Sequence, residues 1–151
     1  MKLFFPGSFD PFTIGHADLV ERALNLGCEV VIAVGINEEK KPLFSTEQRI
    51  EAIRNYYKGY SRISVTGYKG LTVDAVRENR CDAILRGIRS VTDYDKERNL
   101  ADINRSIDGV ETVLLVSSPA VQHVSSSLVR ELISFGRNAD ELMIDTFKPY
   151  F

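Results

Sequence analysis

Cysteine is scarce: Cys28 and Cys81 are the only two in 151 residues, with no CxxC and no histidine pair near either. That argues against a disulfide framework or a thiolate metal site and leaves two buried thiols at strand starts in a reducing compartment. Long apolar runs are missing too; nothing approaches the ~20 residues of a membrane span. The opening stretch MKLFFPGSF is broken by Pro6 too early for a secretory leader, so a cytoplasmic location and no membrane partner are expected. There is no basic run or acidic tail and the net charge is −2, so nucleic acid is not an expected partner. Repeats, low-complexity tracts and Pro/Ser-rich linkers are also absent, which leaves one domain over residues 1–151 as the expectation.

What is present is an alternation of short apolar strands and helices. KLFF reads as a strand, and Leu19, Val20, Ala23 and Leu24 form one helical stripe ending at Gly27. CEVVIAVG is a β-branched run. Ser45 and Gln48 have capping-box spacing ahead of Ile50, Ile53 and Tyr57. RISVTGY, DAILRG and ETVLLV complete the strands, with DAILRG expected to break at Gly87. Between them lie a short helix expected to be capped by Thr72 and a longer one with Leu100, Ile103 and Ile107 expected to face the core. SSSLVRELISFG is the last helix, stopped by Gly136. Five strands alternating with helices predict an α/β fold: a Rossmann-like, doubly wound sheet of five parallel strands with helices on both faces. Such sheets bind ligands at the carboxyl ends of their strands, where strand order reverses.

The residues after the strands are therefore the ones to read. Gly7 and Ser8 follow the first, and His16 falls in the first turn of the next helix, where free N–H groups favour an anion. Lys40 and Lys41 follow the second strand. Arg86 and Arg89 flank Gly87 and Ile88 after the fourth, and guanidinium groups suit phosphate oxygens. Glu97 and Asn104 share a helix face. Ser125, Ser126 and Ser127 open the last helix. Each feature has an ordinary reading as a turn glycine, a cap or a solvated charge. Their recurrence at four of five strand ends, with no nucleophile–base pair and no metal-ligand cluster, points to phosphoryl or nucleotidyl transfer without a covalent intermediate.

The stretches PGSFDPFTIGH, KKPLF, RGIRSVTDYDKE and SSSLVRE together resemble the phosphopantetheine adenylyltransferases of the HxGH nucleotidyltransferase superfamily. Thr13 occupies the first position of that motif and Ser8 the place where threonine is usual. The resemblance implies transfer of AMP from ATP to 4′-phosphopantetheine, giving 3′-dephospho-coenzyme A and pyrophosphate, with Mg²⁺ carried on the ATP phosphates. It implies His16 as the catalytic residue. It places ATP against Ser8, Phe9, His16, Gly87, Ile88, Arg89, Glu97 and the run Val121, Gln122, His123, Val124, Ser125, Ser126 and Ser127. It places the acceptor against Ser8, Lys40, Thr72 and Arg86, with Asn104 and Glu131 toward the pantetheine arm. It also implies a homo-oligomer, a hexamer in this family.

Two alternatives share part of this pattern. A nucleotidyltransferase for another acceptor, such as nicotinamide mononucleotide or a sugar phosphate, has the first motif but not KKPLF and RGIRS together. A non-enzymatic nucleotide sensor keeps the glycine and serine loops but has no need of His16 with Lys40.

Overall fold

A computed structural model describes residues 1–151. Five parallel strands form one sheet: β1 (Lys2–Gly7), β2 (Glu29–Gly35), β3 (Ile63–Tyr68), β4 (Ala83–Ile88) and β5 (Glu111–Val116), in the order β3-β2-β1-β4-β5. The connecting helices are α1 (Ile14–Asn25), α2 (Thr46–Tyr56), α3 (Thr72–Glu78) and α4 (Val91–Asp108), with α5 (Ser126–Ser134) after β5. The chain builds outward from β1 to β2 and β3, then returns to β1's other side with β4. The reversal point thus lies between β1 and β4, with Leu3 opposite Ala83 and Phe4 opposite Ile84. No helix is long and apolar enough to cross a membrane.

The period of two along the strands sorts the core into two layers. Leu3, Phe5, Val30, Ile32, Val34 and Leu85 point to the face covered by α1, α2, α5 and the C-terminal turns. Phe4, Val31, Ala33 and Ile84 point to the other face, against Val73, Ala75 and Val76 of α3. Residues 30–34 of β2 are buried without interruption, as expected of an inner parallel strand covered on both sides. Cys28 and Cys81 are both free and buried. The α1 stripe and the Ser45/Gln48 capping box form as the sequence predicts.

Three expectations fail. Thr72 does not cap α3; the cap is Leu71, without a side-chain bond, and the Thr72 hydroxyl instead lies 3.3 Å from the Tyr68 hydroxyl. The fourth strand does not break at Gly87 but runs on to Ile88, paired with Val116. Most consequentially, α4 does not turn Leu100, Ile103 and Ile107 to the core. Ile103 and Ile107 are 53% and 52% exposed, and the helix buries one side chain, Glu97. The face that α4 turns inward is largely polar, Asp93–Lys96–Glu97–Asn104 with Leu100 and Ala101 among them, because a cavity and not an apolar layer lies beneath it.

Candidate active site

Two cavities open side by side at the carboxyl ends of β1 and β4. The first holds about 580 Å³ and the second about 360 Å³. Pro6, Gly7, Ser8, Arg86 and Glu97 belong to both linings, so they form the partition where the two spaces meet. Ser8, Lys40, Thr72 and Arg86, the four predicted acceptor residues, all line the first, together with Asn104. Ser8, Phe9, His16, Gly87, Arg89, Glu97, Val121, Val124, Ser125, Ser126 and Ser127 line the second. Ile88, Gln122, His123 and Glu131 line neither. Ile88 is taken up in the β4–β5 ladder, Gln122 donates to the Arg89 carbonyl at 2.8 Å, and His123 and Glu131 are exposed.

The β1–α1 turn sets the partition. Gly7 has no side chain because the Phe9 ring folds back over it; a Cβ there would lie 2.7 Å from that ring. Phe9 itself sits at φ +50°, a left-handed conformation that bulky residues rarely adopt. Thr13 caps α1 and accepts from the His16 amide, while the His16 ring reaches back to the Thr13 amide, a capping box with histidine in the third helical position. The Thr13 N–H donates to His16 Nδ1 at 2.9 Å, which leaves the proton of the neutral ring on Nε2. Phe9 and Phe12 stand edge-on or tilted at 5.0 and 5.1 Å from that ring. Burial among them, and then the charges of Arg86 and Arg89, lower its pKa to about 3. His16 is therefore a neutral hydrogen-bond donor at physiological pH, oriented before any ligand arrives.

Arg86 is not the free cation that its sequence neighbours imply. Its Nε and Nη2 make a two-pronged ion pair with Glu97, both at 2.8 Å, and Nη1 donates to the Pro6 carbonyl at 2.9 Å. Sequence cannot reveal this, because the partner is eleven residues away on another element. Five guanidinium N–H groups less these three leave two for a ligand. Arg89 is looser: it bonds Asp93 at 3.3 Å and the Val124 carbonyl at 3.3 Å. The serine run divides its labour. Ser125 caps Leu128, Ser126 donates to the Pro11 carbonyl, and Ser127 accepts from Arg130.

The chemistry of the second cavity is thus that of an anion site. The N-terminal ends of α1 and α5 both reach it, and His16, Arg86, Arg89, Lys96 and Arg130 contribute donors. Sequence reading missed Lys96 and Arg130. Arg130 stands three residues after Ser127, a helix spacing that places it on the same face. Asp10 and Arg49 were also missed, and both are buried. No group of three or more His, Cys, Asp or Glu side chains is gathered anywhere. The carboxylates lining the second cavity, Asp93 and Glu97, are engaged by Arg89 and Arg86.

Comparison with known proteins bears on this geometry directly. The model of the cytidylyltransferase-like family matches residues 4–132. A phosphopantetheine adenylyltransferase of Porphyromonas gingivalis is 54% identical over 143 residues, 95% of this chain and 94% of that protein. The enzyme of the same name from Bacteroides thetaiotaomicron is 46% identical over 94% of each chain. That of Prochlorococcus marinus is 45% identical over 95% of this chain and 89% of its own. Among solved structures, a bifunctional NMN adenylyltransferase/ADP-ribose pyrophosphatase of Francisella tularensis, complexed with AMP and a Mn ion, superposes with a TM-score of 0.69 at 17% identity. It covers 94% of this chain, which spans less than half of that longer one (44%), and it shows likeness of fold alone.

Proposed function

The chain belongs to the phosphopantetheine adenylyltransferases, within the cytidylyltransferase-like family, and on that footing we propose how its two cavities divide the reaction. The enzyme transfers AMP from ATP to 4′-phosphopantetheine, yielding 3′-dephospho-coenzyme A and pyrophosphate, the penultimate step of coenzyme A synthesis. The larger cavity takes phosphopantetheine: Lys40 and the two spare Arg86 donors bind its phosphate, and Thr72 and Asn104 line the space for the arm. The smaller cavity takes ATP, its phosphates against His16, Arg89 and the serine-capped end of α5. Ile88, Gln122 and His123 do not line this pocket, so a nucleotide role for these three rests on the family resemblance alone.

The nucleophile is already a phosphate anion and needs no general base. The barrier is repulsion between that anion and the polyphosphate, so the protein's work is to place them in line and absorb charge. The partition residue Ser8 touches both spaces and lies where nucleophile and α-phosphorus meet. His16 donates through Nε2 to the pentavalent phosphorus oxygens, and as a neutral ring it costs nothing in repulsion against Arg86 and Arg89. Mg²⁺, if bound with ATP, supplies further charge neutralisation; the engaged carboxylates fit a cation carried on phosphate oxygens and not one caged by side chains.

Residues 1–151 act as one nucleotidyltransferase domain in the cytoplasm. The chain works as a homo-oligomer, a hexamer by resemblance, and the outward apolar residues of α4, Ile103 and Ile107, belong to the surface that a second copy covers. The observation that carries the functional reading is the shared Ser8/Arg86 wall between two anion-suited cavities. The test is pyrophosphate release from ATP with a panel of phosphorylated acceptors. Release with 4′-phosphopantetheine and not with nicotinamide mononucleotide or sugar phosphates is expected; the reverse selectivity overturns it.

A further inference from the structure

The Ser8 loop and the Lys40 loop are tied together by a closed circuit of bonds centred on Asp10 and Arg49, neither of which lines either of the two cavities. Asp10 is 6% exposed, and its two carboxylate oxygens accept the amides of Leu43 and Phe44, each at 2.8 Å. Arg49, 4% exposed on the first turn of α2, donates through Nε to the Phe44 carbonyl at 3.1 Å. Its Nη1 reaches the Ser8 carbonyl at 2.6 Å, and its Nη2 the Thr46 hydroxyl at 3.0 Å. Phe44 is thus held at both its N–H and its C=O, and the circuit returns to the chain at Ser8. Arg130 of α5 joins it by donating to the Asp10 carbonyl at 2.9 Å.

We infer that Asp10 and Arg49 are positioning residues that fix the separation of Lys40's loop from the Ser8–His16 turn, and so the alignment of the acceptor phosphate with the α-phosphorus. This rests on the reaction proposed above. Three features favour alignment over simple scaffolding. A buried carboxylate and a buried guanidinium are costly where apolar packing would hold a loop equally well. Apart from the Thr46 hydroxyl their partners are main chain, which transmits position and not side-chain identity. And they join the two loops that carry the acceptor's cation and the shared serine. In-line transfer is sensitive to such placement; a displacement of about 1 Å typically costs on the order of 10²-fold in rate.

Asp10→Asn keeps the shape but turns an amide donor toward one backbone N–H. Arg49→Lys keeps the charge but replaces the planar fork by a single ammonium, which cannot span acceptors spread from the Phe44 and Ser45 carbonyls to the Ser8 carbonyl and the Thr46 hydroxyl. Both are compared with the wild type for kcat, KM and ATP affinity by calorimetry, with circular dichroism to check folding. The expected result is a kcat lowered about 10- to 100-fold, with ATP affinity within about 2-fold in each folded variant, because neither residue lines the ATP cavity. Asp10→Glu, which restores two acceptor oxygens, is expected to recover part of that kcat. Wild-type kcat in the folded variants overturns the inference. So does an equal loss in kcat and ATP affinity, or failure of both variants to fold, which would make the pair scaffold. A wild-type protein inactive with ATP and phosphopantetheine would instead remove the functional reading itself.

Discussion

Helices α1 and α4 both bring residues to the cavities, yet they are held in opposite ways. α1 buries Leu19, Val20, Ala23 and Leu24 in the larger core layer, so apolar area fixes it. α4 is half as long again, at 18 residues against 12, and contributes nothing to either core layer. What it buries is the carboxylate of Glu97, paired with Arg86. An ion pair of that kind roughly balances its own desolvation, so it specifies a position without adding much stability. The difference teaches that the oriented donor of this site, His16, rides on a helix packed into the core. The wall between the two cavities rides on a helix whose outward residues Ile103 and Ile107 have no partner within the chain.

The largest effect expected on this comparison comes from His16→Ala on α1. Removing one donor aimed at a transition-state oxyanion typically costs about 10²–10³ in kcat, about 3–4 kcal/mol. ATP affinity is expected to change far less, because Arg89, Lys96, Arg130 and the α5 end remain. Steady-state kinetics beside an ATP titration check this; an unaltered kcat would take His16 out of the chemistry and erase α1's special status.

Next in size is the contrast in anchoring. Leu19 lies so close to Gly87 that any Cβ at that glycine would collide with it, so α1 and β4 are locked together at the site. Leu19→Ala is expected to cost about 3 kcal/mol in chemical denaturation. Ile103→Asp on α4 is expected to leave the chain folded by circular dichroism but to lower the assembly state in sedimentation velocity. Unchanged sedimentation would mean that the α4 stripe is simply solvated, and the two helices would then differ only in how much they bury.

That contrast also marks where the sequence could be read and where it could not. Strand count, the α1 stripe and the Ser45/Gln48 box are local or periodic signals, and each survives in the structure; the strand-end residues singled out for a ligand mostly line the two cavities there. The α4 stripe misleads because Leu100, Ile103 and Ile107 have the spacing of a core face whether the partner is this chain's core or another surface. Arg86 reads as a free cation because its partner lies across the fold. Asp10 and Arg49 are invisible for a further reason: most of their partners are backbone groups, and backbone donors and acceptors leave no mark on sequence. The C-terminal tail hides likewise. Met143, Ile144 and Phe147 are buried, and Ile144 donates to the Phe12 carbonyl at 3.3 Å, bracing the turn that carries His16.

The smallest expected effect concerns His16's charge. In the folded chain its pKa lies at about 3, whereas an unfolded chain takes up the same proton at the ordinary value of 6.5. The unfolded state therefore binds more protons between those values, and stability falls as pH falls. His16's contribution is intact above pH 6.5 and is lost progressively on acidification, amounting to about 1 kcal/mol between pH 7 and 5.5. His16→Gln has no such group, so its stability should decline less over that interval by about the same amount, whatever constant offset the lost capping box introduces. Denaturant titrations of both proteins at the two pH values measure the difference. Parallel pH slopes would mean that the ring is charged in the folded state, and the phenylalanine setting that α1 provides would no longer account for a neutral donor beside two arginines.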